Sequence, residues 1–130
     1  MRYMLLIYSR EDPGATEEEL AEVAAKHASV FEESRRCGVL RAADPLAPSS
    51  TATTVQVDGD KVLVTDGPFA ETKEQLAGYY ILDCRDLDEA VEWAAKIPTS
   101  CQGAPGYVEV RPLREMSKHR TTHERAERDN

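Results

Sequence analysis

The chain has 130 residues, of which 41% are hydrophobic and 31% charged, and 24 acidic against 16 basic side chains give a net charge of −8. That length suits one domain whose core needs no metal or disulfide staple. The acidic balance and the lack of any basic block argue against a nucleic-acid or anionic-membrane surface.

The opening Met1-Arg-Tyr-Met-Leu-Leu-Ile-Tyr8 is too short for a signal sequence or a membrane span. The expected location is the cytoplasm. The same residues read as a first strand, Arg2 to Tyr8, apolar on both parities, which predicts a strand covered on both faces. A polar loop with a Pro13-Gly14 turn follows. Thr16-x-x-Glu19 is a capping-box signature. From it Leu20, Val23, Ala24, His27, Val30, Phe31 and Ser34 recur at helical spacing, and Cys37-Gly38 supplies the stop.

Val39 to Leu46 reads as a short strand and 47–50 as a loop. Thr51 to Val57 and Val62 to Thr65 read as two β-rich runs around an Asp58-Gly59-Asp60-Lys61 hairpin turn. Gly78 to Cys84 is a central strand, again apolar on both parities. Asp86-x-x-Glu89 caps a second helix whose predicted buried stripe is Leu87, Ala90, Val91, Ala94 and Ile97, and Pro98 ends it. Tyr107 to Leu113 is a last strand with one apolar face. Apolar residues nearly vanish after Arg114, so 114–130 reads as a charged tail, disordered or loosely helical. The order β-α-β, hairpin, β-α-β is the ferredoxin-like α+β pattern, an antiparallel sheet with both helices on one face. Its open face predicts a homodimer with a symmetric interface.

Cys37, Cys84 and Cys101 are an odd count with no C-x-x-C pair, so they read as reduced structural thiols rather than a disulfide framework or zinc cluster. No P-loop, G-x-G-x-x-G or H-E-x-x-H is present, no spacing supports a metal site, and no cofactor is indicated.

The stretch Val64-Thr-Asp-Gly-Pro-Phe-Ala-Glu-Thr-Lys-Glu-Gln-Leu-Ala-Gly-Tyr-Tyr80 resembles the hallmark of DGPF-type proteins in the YCII-related family. Met1 to Tyr8, Leu46-Ala-Pro48, Thr53-Thr-Val55 and Val108 to Pro112 resemble that family as well, so the likeness spans residues 1–113. The resemblance implies a dimeric α/β barrel of ferredoxin-like subunits, with a His/Asp pair in a pocket. Some relatives in that superfamily act on lactones or chlorinated ring products. DGPF-type proteins also accompany extracytoplasmic-function sigma factors, which implies a possible sigma-factor association.

His27 and Asp66 are the residues here that could form the pair. His27 is on the apolar stripe of the first helix, where an inward imidazole can serve as general acid or base, or simply as a hydrogen-bonded core residue. Asp66-Gly67-Pro68 is equally a turn, in which an Asx-type bond would account for the aspartate. Phe69 could wall a pocket or anchor the loop. Lys73 could hold an anionic substrate or belong to a surface cluster with Glu71 and Glu74. Arg111 could bind a carboxylate or pair across the strand with Glu109. Two function classes follow. One is a small-molecule enzyme doing acid/base chemistry of isomerase, lactone-hydrolase or lyase type. The other is a non-catalytic ligand-binding or regulatory module.

Overall fold

The computed structural model describes residues 1–11, 14–99 and 106–116. The elements are β1 (Arg2–Arg10), α1 (Glu17–Arg36), β2 (Leu40–Pro45), a 3-10 turn (Ser49–Thr51), β3 (Thr53–Asp58), β4 (Lys61–Asp66), β5 (Glu74–Asp83), α2 (Leu87–Ala94) and β6 (Tyr107–Pro112). Four strands make one sheet in the order β2-β5-β1-β6, with every neighbouring pair antiparallel. That α+β arrangement is compatible with a ferredoxin-like fold.

Alternation along β1 sets the two sides of the sheet. Tyr3, Leu5 and Ile7 are buried, while Arg2, Met4, Leu6 and Tyr8 are half-exposed. On β5 the buried partners are Gly78, Tyr80, Leu82 and the adjoining Cys84. Val30 of α1 and Ala90 and Trp93 of α2 complete the same apolar cluster, so both helices cover this one face. Among the described residues, the face opposite carries no helix.

Thr16 caps α1 as its sequence predicts. Its hydroxyl accepts from the Glu19 amide at 3.1 Å, and its own amide donates to Glu19 Oε1 at 2.8 Å. Gly38, at φ 80°, ends the helix in the left-handed region that favours glycine. The helix stripe is buried only at Val30 and Ser34, while Leu20 is 56% and Phe31 41% exposed. The C-terminal half of α1 is seated on the sheet and the N-terminal half stands off it.

The predicted stripe of α2 needs correction. Leu87 and Val91 are exposed, and the buried positions are Ala90, Trp93 and Ile97. A helix of eight residues buries one narrow row, and the bulk of Trp93 draws that row through i, i+3 and i+7. Strand β5 starts at Glu74, earlier than its apolar run suggests, because the polar Glu74 and Gln75 pair with Arg10 and Ser9 of the lengthened β1. The expected 47–50 loop holds the 3-10 turn, whose Ser49 donates twice to the Glu11 carboxylate, at 2.7 and 2.6 Å.

Strands β3 and β4 pair only with each other and project as an arm between β2 and β5. The predicted turn is present, with Gly59 at φ 65°. Gly67 closes the base, donating to Ala52 O at 2.7 Å and accepting from the Thr54 hydroxyl at 2.8 Å. No helix among the described residues is long and apolar enough to cross a membrane. The predicted tail lies outside the described residues from 117 onward, as do Cys101, His119 and His123.

Candidate functional site

Because α1 lifts from the sheet at its N-terminal half, a cleft of about 540 Å³ opens between Leu20, Ala24 and Phe31 of the helix and Ile7, Ala43 and Tyr80 of the sheet. A second chamber of about 230 Å³ runs towards Ser9, Glu11, Pro98 and Thr99. Ile7, Leu20, Val23, His27 and Ala77 border both. His27 therefore stands where the apolar chamber meets the more polar one.

Gly78 keeps the sheet wall of this cleft thin. A Cβ there would meet Asp44 O at 2.9 Å and the Pro45 Cα at 3.2 Å, so only glycine allows β2 this close to β5. Asp44 and Tyr79 also border the cleft. They are directly paired across β2 and β5, in the register opposite to buried Tyr80. Alternation therefore turns their side chains to the helix-free face and gives the cleft their backbone. On that other face the Tyr79 hydroxyl donates to Asp44 Oδ2 at 2.8 Å, and this bond raises the Tyr79 pKa. The pair escapes a sequence reading, since it depends on a cross-strand register that no local pattern announces.

Inside the cleft, the Tyr80 hydroxyl donates to the His27 carbonyl at 3.3 Å and ties strand to helix. Burial pushes the Tyr80 phenol above its ordinary pKa. Burial also lowers the His27 pKa from its ordinary value of 6.5. The cause is plain: half-buried among apolar groups, the imidazolium loses hydration, and among the described residues no side chain hydrogen-bonds the ring to compensate. Burial thus favours the neutral imidazole, and its ring nitrogens have no partner among the described residues.

The other predicted site residues are elsewhere. Asp66 is exposed at the end of β4, on the arm. It accepts no Asx-type bond among the described residues; the turn is held by Gly67 instead. Phe69 is 91% exposed, and Lys73 is exposed on the link from the arm to β5. Arg111 pairs in register with Met4, on the helix-free face of edge strand β6. None of these four borders either chamber, so within one chain the structure does not bring Asp66 to His27. Among the described residues no group of three or more His, Cys, Asp or Glu is placed to hold a metal ion. Cys84 is buried, and burial with the nearby Glu89 and Asp83 charges pushes its thiol up to about 11.

The family model of the YCII-related domain matches residues 1–117. An uncharacterised protein of Rhizobium meliloti (strain 1021) is 36% identical over 115 residues, covering 87% of this chain and 92% of that protein.

Proposed function

The chain belongs to the YCII-related family, and we propose that it binds a small, largely apolar organic molecule under α1 and uses His27 as a general base or acid upon it. One observation carries this reading: an imidazole whose pKa burial lowers, with no partner for its ring among the described residues, stands at the junction of an apolar and a polar chamber. A base of this kind accepts a proton without first losing one, which suits isomerisation, lactone opening or elimination. A second copy of the chain covers the helix-free sheet face in this reading, leaving the cleft on the outer side.

The test is a screen of small lactones and cyclic enol esters by ligand-observed NMR, followed by turnover assays on whatever binds. His27→Asn keeps the size and much of the polarity of the side chain but no basic nitrogen. It should still bind while turnover falls by roughly two orders of magnitude or more. Undiminished turnover by His27→Asn removes the histidine from the chemistry. Binding with no turnover by the wild type favours the non-catalytic module, which would use the same cleft.

A further inference from the structure

The cleft under α1 changes character along its length. The larger chamber is walled by apolar side chains such as Leu20, Ala24, Phe31 and Ala43. The smaller one adds Ser9, Arg10, Glu11 and Thr99. Ala77 borders both, and there the register of β1 and β5 shifts between Ile7 and Tyr8 and leaves Ala77 without a partner on β1. An extra residue of this kind bends its strand and re-aims the side chains beside it.

Two polar side chains reach the smaller chamber with nothing to bond to. Ser9 continues the parity of Tyr3, Leu5 and Ile7, so its side chain is on the helix side of the sheet. Its hydroxyl has no hydrogen-bond partner among the described residues, and neither has the His27 ring. The charged groups at this end are otherwise disposed. Arg10 has the opposite parity and is in register with Glu74, so alternation turns its guanidinium to the other face of the sheet. Both oxygens of the Glu11 carboxylate are engaged by Ser49, from its amide at 2.7 Å and its hydroxyl at 2.6 Å. What the chamber offers a ligand is therefore a hydroxyl and an imidazole, groups that donate and accept while neutral. An anionic end would lose hydration there and meet the Glu11 charge rather than a counter-ion.

We infer that the smaller chamber is a subsite for the uncharged, oxygen-bearing end of the ligand, a carbonyl or hydroxyl held by Ser9 beside His27, while the apolar body of the same molecule fills the larger chamber. This rests on the reading that the cleft binds a small organic molecule, and it narrows that molecule to a neutral amphipath. Ser9 then sets specificity: its hydroxyl fixes which end of the ligand is turned towards the imidazole.

Protein-observed NMR titration of the full chain at pH 7 tests this with a matched series: a propylcyclohexanone, propylcyclohexane, the propylcyclohexanecarboxylate and the propylcyclohexylamine. The ketone should bind at least about tenfold more tightly than either ion and should shift the Ser9 amide, which the hydrocarbon leaves in place. Ser9→Ala should weaken the ketone about threefold to tenfold, the worth of one hydrogen bond. The same variant should leave the affinity of the hydrocarbon and the urea midpoint unchanged, since the hydroxyl has no partner in the protein to lose. A ketone affinity that Ser9→Ala does not alter, or an ion that binds as well as the ketone, overturns the subsite and leaves the cleft standing as a ligand site. If no member of the series shifts Leu20, Ala24 or Phe31, the cleft is not the site and both readings fall.

Discussion

His27 shows how one side chain couples pH to stability. Its pKa is lowered in the folded chain by burial, whereas in the unfolded chain it returns to about 6.5. Above the unfolded value both states hold the ring neutral and nothing is lost. As pH falls below it, the unfolded state takes up the proton first, so stability drops until the folded pKa is passed. Chemical denaturation between pH 7 and 5 should therefore show a loss of stability that His27→Gln reduces, and NMR titration of the imidazole should give a midpoint below 6.5. A midpoint above it would place a carboxylate on the ring that the structure does not show. Cysteine makes a second contrast at this scale. Cys37 is exposed, whereas Cys84 is buried with its thiol near 11. Iodoacetamide at pH 8 should label Cys37 in the native protein and reach Cys84 only after unfolding, as peptide mass mapping will show. The inward position of His27 is legible from its place in the helical repeat. The missing partner is not, because the distance from α1 to the arm is a tertiary fact.

Among the elements, α1 and β5 make the cleft, one by standing off and the other by coming close. The capping box of α1 follows from Thr16-x-x-Glu19 alone, a purely local signal. Thr16→Ala should cost about 1 kcal/mol in denaturant unfolding, the usual worth of such a cap. What the repeat does not announce is that its stripe is fully seated only at Val30 and Ser34. Leu20, Ala24 and Phe31 have the right spacing for a core, yet they line an opening. Periodicity gives the side of a helix that faces inward and not the height at which the helix rides. For β5, Gly78 is the controlling residue. Gly78→Ala would drive a methyl against the backbone of Asp44 and Pro45. It should destabilise the chain by about 1–3 kcal/mol and alter the cleft wall, with chemical-shift changes centred on β2. The apolar run that predicts β5 as a central strand is correct in kind, and its glycine end borders the cleft.

Across the whole molecule, the arm behaves as a unit apart from the four-stranded sheet. Its strands pair with each other and with no strand of that sheet. Its two ends already meet, since Gly67 donates to Ala52 at 2.7 Å. The alternating valines of β3 and β4 announce a strand pair with one apolar side, but a single chain cannot say which surface that side faces. A reading from sequence places the hairpin correctly, at residues 58–61, and still misses that its apolar side faces away from the core. Excising Thr53–Asp66 so that Ala52 runs directly into Gly67 removes the arm while keeping the short join that the structure already has. Each core strand retains its neighbour, so the shortened monomer should fold with the far-ultraviolet signature of the remaining sheet and helices. The midpoint of its unfolding should be independent of protein concentration. A full-length chain that pairs with a second copy should instead melt at a temperature that rises with concentration, because association stabilises only the folded state. If the shortened chain fails to fold even at high concentration, the arm belongs to the core's own stability, and its separation from the sheet is only geometric.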